Sequence, residues 1–203
     1  MRLMLYIVLA ALLGTCSTPP ALLEQILETG ELRVVTRDTP SSSVIGPDGP
    51  SGPEFDLVQA FADELGVALA IESVSVSEVM PRLLSGNVHM AAAGLSITRS
   101  RQQHLNFGFP YETVDMQLIY KVGTGRPREI ADLAGRSIEV LADSSHSDMM
   151  ESLGEIYPEI DWTVNADAET ADLLARVAAE ELEFTISDST DFNILRNFYP
   201  DLR

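Results

Sequence analysis

The sequence predicts an α/β protein of two lobes. Three observations predict it. Helix-spaced and strand-like segments alternate from residue 21 onward, which implies parallel sheets with helices on both faces. The alternation runs in two blocks, and the stretch Val122 to Arg128, with two glycines and a proline, is a connector. The residues that follow several strands are polar and rich in hydroxyls, as at the ligand edge of an open parallel sheet.

The elements follow in order. Ala21 to Thr29 reads as a short amphipathic helix stopped by Gly30, and Leu32 to Thr36 as a strand. Residues 37 to 53 hold four prolines, three glycines and four serines and read as loop. Glu54 to Leu65 carries Phe55, Val58, Phe61, Ala62 and Leu65 at helical spacing, followed by Gly66. Val67 to Ile71 is a strand. A helix runs from Ser77 as N-cap to Ser85, with Pro81 tolerated near its first turn. Val88 to Ala92 is the third strand of the first block. In the second block Met116–Lys121, Arg136–Leu141, Asp161–Val164 and Glu183–Ile186 read as strands, and Ser147–Tyr157, Glu169–Ala179 and Ser189–Phe198 as helices.

Charge excludes some function classes. The 203 residues carry 13 Lys+Arg against 31 Asp+Glu, a formal net charge of −18, with Lys121 the only lysine. Binding to nucleic acid or to anionic lipid through a basic surface needs the opposite sign. The three histidines, His89, His104 and His146, have no metal-like spacing, so neither metal nor cofactor is expected. No Gly-x-Ser-x-Gly, phosphate loop or dinucleotide fingerprint occurs, and no catalytic residue is assigned. With 31 acidic residues, a chance pair of carboxylates carries no weight as a glycosidase signature. Glu54 and Asp56 are expected to bias a helix N-terminus, and Trp162, Tyr157 and Phe198 to pack in the core or at a lobe edge.

The N-terminus reads as an export signal. Met1-Arg2 is a short positive region, and Leu3 to Leu13 an uncharged run too short to span a bilayer comfortably. Leu13-Gly14-Thr15-Cys16 resembles a bacterial lipoprotein box, which makes Cys16 a candidate for lipidation and the membrane a partner through a lipid anchor only. Cleavage nearby with loss of Cys16 is the competing reading. Residues 1–16 are thus a leader and 17–31 a linker with the short helix; 32–111 form lobe 1 and 112–203 lobe 2.

The edges after the strands hold Gly94, Ser96 and Arg101, then Asp143, Ser144, Ser145 and His146, then Ser187, Asp188 and Ser189. One cation and one carboxylate among hydroxyls suit a zwitterion, with Arg101 forked onto a carboxylate and Asp188 facing an ammonium. The plainer readings are that Arg101 lies on a helix surface, that Ser144, Ser145 and Asp188 cap helices, and that His146 starts a helix or lies on the surface.

Gly94-Leu95-Ser96-Ile97-Thr98-Arg99-Ser100-Arg101-Gln102-Gln103, with Asn106-Phe107 and Pro110-Tyr111, is similar to the central motif of family 3 extracellular solute-binding proteins. Gly52-Pro53-Glu54-Phe55-Asp56-Leu57 and Asp132-Leu133-Ala134-Gly135-Arg136 resemble two further segments of that family. A narrower likeness, carried by Leu32 to Arg37, Ala91 to Leu95, Ser144-Ser145-His146 and Ile186 to Ser189, is to the N-terminal module of the membrane-bound lytic murein transglycosylase F family.

The resemblance implies a type II periplasmic-binding-protein-like fold, with the chain ending before the family's return to lobe 1. It implies that Arg101, Ser96 and Ser145 hold a ligand carboxylate, that Asp188 holds an amine, and that Gly94 and Ser144 line the site. Arg37 stands where amino-acid binders often carry a second acid, and Asp143 where glycine is common. The implied function is an exported, periplasmic, outer-membrane-anchored sensor. It recognises an amino acid or muropeptide, and the enzyme's peptidoglycan-cleaving domain lies outside this chain. The alternative is a free-standing amino-acid-binding protein of an ABC transporter.

Overall fold

The structure is a computed structural model that describes residues 21–47 and 49–203. The expected leader and Cys16 lie outside the described residues. Two α/β lobes are built from separate sheets.

In the first lobe, α1 (Leu22–Thr29) leads into β1 (Glu31–Thr36), which sits centrally between β4 (Ala68–Ser73) and β5 (Met90–Ala91), all parallel. Strand side chains alternate between faces, so β1 feeds two cores. Leu32 and Val34 pack with Ile26 of α1 and with Val58 and Ala62 of α2 (Pro53–Leu65). Val35 packs on the other face with Val79 of α3 (Val76–Leu84), Val88 and Ala93. A strand covered on both faces is uniformly apolar, which is why Leu32-x-Val34-Val35 is legible as a strand.

Three local expectations change. The 37–53 stretch is not all loop: Val44–Gly46 (β2) and Gly49–Ser51 (β3) pair as a small antiparallel ribbon. Proline is tolerated there because the ribbon has free edges. Its exit is fixed by Gly52, where an added Cβ would lie 2.7 Å from the Ser42 carbonyl oxygen. The N-cap of α3 is Ser75 rather than Ser77, with its N–H donating to Glu78 at 3.3 Å. Pro81 therefore sits in the middle of the helix and removes the bond to the Ser77 carbonyl.

The second lobe has the strand order β6–β9–β7–β8, from Met116–Ile119, Phe184–Asp188, Ile138–Leu141 and Thr163–Asn165. β7 runs parallel to β8 and β9, whereas β6 is antiparallel to β9. β6 departs from the all-parallel expectation because the chain reaches it straight from the first lobe, with no βαβ crossover to set its direction. α5 (Ser145–Ile156) covers one face through Met150, packed with Ile138, Val140, Phe184 and Ile186. α6 (Thr170–Ala178) and α7 (Ser189–Leu195) cover the other through Leu174, Val177 and Phe192. Tyr157 and Trp162 pack against the first of these cores as expected, but Phe198 is exposed, and its neighbour Tyr199 packs instead. The chain's last residues pair with the end of β6: Tyr120 and Arg203 exchange N–H···O bonds of 2.9 Å.

The lobes are closed on each other. Val76 at the start of α3 is buried against Leu141, Ala168 and Leu173 of the second lobe. Ser77 Oγ donates to the Ala166 carbonyl at 3.3 Å, and Thr98 Oγ1 to Asp148 at 3.2 Å.

Candidate functional site

The cleft between the lobes brings together the strand ends of both sheets. From the first lobe come Arg37, immediately after β1, and the turn from Ala93 to Arg101 after β5. From the second come the β7–α5 corner, with Asp143 to His146, and the β9–α7 corner, with Asp188 and Asp191. Every strand-end segment picked out in the sequence reaches this cleft.

Arg101 lies on α4 (Arg99–Gln102), whose N-cap Thr98 accepts from the Arg101 N–H at 3.2 Å. The residue is only 6% exposed. Its Nη1 donates to the Ser96 carbonyl at 3.1 Å, and its Nη2 reaches across the cleft to the Asp143 carbonyl at 2.9 Å. Both acceptors are neutral backbone groups. Burial lowers the Arg101 pKa below the ordinary arginine value, Asp148 opposes that shift and Arg37 adds to it. The guanidinium stays charged all the same. Asp143 has a φ of 54°, a left-handed conformation that costs a non-glycine residue little only in Asn or Asp. That backbone turns its carbonyl to Arg101 and accounts for glycine's suitability at this position.

Ser144 is the N-cap of α5. Its Oγ accepts from the Ser147 N–H at 3.2 Å and donates to the Leu141 carbonyl at 2.6 Å. Ser145 is the first residue of that 12-residue helix and is buried. The first N–H groups of a helix lack intrahelical acceptors and favour anions. Ser96 lies at the mouth of the cleft and uses its carbonyl on Arg101. Gly94 has a φ of 62°, and its N–H donates to the Glu54 carboxylate at 2.9 Å. Asp188 caps α7 in position, and its Oδ1 lies 3.1 Å from His146 Nε2.

Three residues that sequence reasoning undervalued are part of this arrangement. His146 is not on the surface: it is buried, paired with Asp188, and its Nδ1 has no hydrogen-bond partner. Arg37 is 9% exposed, and its Nη2 donates to Glu169 of the second lobe at 2.5 Å. Glu54 is more than a charge at a helix start. Its buried carboxylate accepts from Ser42 Oγ, Gly94 N–H and Tyr111 O–H, joining the 37–43 loop, the motif turn and the interlobe crossover. Partial burial and the hydrogen bond to Glu54 raise the Tyr111 pKa. The Gly52 to Leu57 pattern was the signal that pointed to Glu54, but it does not reveal the partners.

As closed, the inner cleft has a volume of about 30 Å³, room for little more than a water molecule. A groove of about 1150 Å³ runs outward along the first lobe, past β5 and the fully exposed Phe109. Arg37, Gly94 and Asp188 border both spaces, so the groove is the mouth of the cleft. Among the described residues no three His, Cys, Asp or Glu side chains converge as a metal site, and no helix is long and apolar enough to cross a membrane.

Residues 32–192 match the family model of bacterial extracellular solute-binding proteins, family 3. The chain is 38% identical over 187 residues to membrane-bound lytic murein transglycosylase F 1 of Alkalilimnicola ehrlichii, covering 91% of this chain and 38% of that protein. It is 36% identical over 207 residues to membrane-bound lytic murein transglycosylase F of Methylobacillus flagellatus, covering 44% of that protein. The chain thus spans less than half the length of these curated relatives. Among solved structures, a mutant of the arginine-binding protein ArgBP of T. maritima superposes with a TM-score of 0.79 at 22% identity, covering 90% of this chain and 79% of that one. The L-arginine-bound substrate-binding protein AbpA of Streptococcus pneumoniae gives 0.77 at 23%, covering 89% and 76%. At that identity the likeness is one of fold, the two-lobed periplasmic-binding-protein architecture. By its sequence match, its two lobes and the cleft they enclose, the chain belongs to the family 3 bacterial extracellular solute-binding proteins.

Proposed function

We propose that this domain binds a small carboxylate-bearing ligand, an amino acid or a cell-wall peptide, between its lobes. It serves as the sensing module of a lytic murein transglycosylase F-like protein in the periplasm, tethered at the outer membrane through lipidated Cys16. Arg101, Ser96 and Ser145 hold the carboxylate, Asp188 holds an amine, and Gly94 and Ser144 line the site.

One observation carries the reading: Arg101 is a buried guanidinium at the meeting of the two lobes, and its hydrogen bonds go to one neutral carbonyl on each. A buried cation is stabilised far more by an anion than by neutral dipoles. A ligand carboxylate entering an opened cleft would replace the Asp143 carbonyl and meet the N-terminus of α5. Closure on the ligand is a hinge motion of the kind known for two-lobed binding proteins. The relatives' name supports the link to peptidoglycan turnover.

The test is ligand-induced thermal stabilisation, scanned with amino acids and muropeptides. Stabilisation is expected for at least one of them and is expected to vanish in Arg101→Ala. Equal shifts in the variant would falsify the clamp.

A further inference from the structure

Arg101 is not the only buried cation in the cleft. Arg37 also lies on the first lobe, lines the same small cavity, and is nine-tenths buried. Each arginine takes an oxygen from the opposite lobe. Arg101 takes the Asp143 carbonyl, and Arg37 takes the carboxylate of Glu169, the residue just before α6. The Arg37 Nε is buried without a hydrogen-bond partner, so its fork is only partly used. Both Asp143 and Glu169 belong to the lobe that must move away before anything enters. When it moves, two guanidinium groups of the first lobe face the space between the lobes together. The acidic residues of the cavity, Asp188 and Asp191, both come from the β9–α7 corner. Asp188 already has one oxygen against His146, leaving the other available. The cleft thus carries two cationic positions and one acidic corner.

We infer that the cleft selects an amino dicarboxylate: one carboxylate on Arg101, a second anionic group on Arg37, and the ammonium at the Asp188 corner. This rests on the clamp reading of Arg101 and goes past it, since a clamp alone accepts any α-carboxylate. Glu169 is then a stand-in for the ligand's second anion in the closed arrangement. A zwitterion with a neutral side chain leaves Arg37 with no partner beyond Glu169. A dicarboxylate adds a charge-assisted, forked contact in a site from which water is largely excluded.

Glutamate and glutamine separate the two cases, because they match in shape and differ in one charge. Binding of both, in their L and D forms, is measured by isothermal titration calorimetry on the full chain. Glutamate in one of its forms is expected to bind at least about tenfold tighter than the matching glutamine. Arg37→Gln is expected to bring that ratio near one while both ligands still bind; a merely structural role for Arg37 would weaken both and leave the ratio. Glutamine binding as tightly as glutamate in the unmodified chain, or a preference that survives Arg37→Gln, overturns the inference and leaves the clamp standing. Absence of binding by all four compounds overturns the amino-dicarboxylate assignment, and stabilisation by some other carboxylate lost in Arg101→Ala still upholds the clamp.

Discussion

Glu54 shows how much one side chain contributes to the shape of this site. A buried carboxylate without a cationic partner is costly unless donors surround it. Here a serine hydroxyl, a backbone N–H and a tyrosine hydroxyl do so, and α2 adds the positive end of its dipole. Those donors belong to three segments that border the cleft. Glu54→Gln keeps the shape but turns one acceptor into a donor facing other donors. It is expected to cost about 1–3 kcal/mol in urea unfolding and to weaken ligand binding, although residue 54 lies outside the small cavity. An unchanged unfolding midpoint would remove Glu54 from this role. Residues of this kind are hard to read from a sequence. The placement of Arg101, Ser144, Ser145 and Asp188 beside the cleft was legible because each follows a strand within a recognisable pattern. Glu54, Arg37 and His146 take their meaning from partners between 12 and 132 positions away, and no local period encodes such pairing.

The elements themselves were legible where burial imposes a period. β1, α2, α5, α6 and β9 all emerge within a few residues of their expected bounds. The β2–β3 ribbon did not, because three-residue strands with prolines and glycines leave no apolar alternation. The start of α3 did not, because two serines two residues apart are equivalent caps until Val76 is drawn into the second lobe. In the second lobe the sheet is tied to its helix by charge. Glu139 on β7 accepts from Arg176 on α6 and, at 2.8 Å, from Asn165 on β8. The Arg176 bond holds the Glu139 carboxyl below its ordinary value of 4.5. A carboxyl whose pKa is lower folded than unfolded adds stability above the unfolded value and loses it as pH falls through the folded one. The melting temperature is therefore expected to drop below about pH 4.5, and Glu139→Gln is expected to flatten part of that acid limb. An acid limb identical in the variant would show that this tie contributes nothing.

At the scale of the whole molecule, closure draws on three kinds of contact. Val76 contributes apolar burial, Ser77, Thr98 and Arg101 contribute hydrogen bonds, and Arg37 contributes an ion pair with Glu169. In this arrangement both arginines hold oxygens of the second lobe, so a ligand must compete with the molecule's own oxygens for them. Those arginines sit inside a protein of net charge −18. An anion approaching from solvent meets repulsion at a distance and attraction only after it has passed the rim. Mobile ions shorten the reach of the outer field to about 8 Å at physiological ionic strength and affect the enclosed contacts far less. Stopped-flow association of an anionic ligand is therefore expected to accelerate as salt rises from low to physiological levels, opposite in sign to ordinary electrostatic steering. A rate that falls with salt would mean that the arginines' field reaches the solvent. On the proposed reading, buried arginines within a net-acidic protein make entry slow and retention strong for the same anionic ligand.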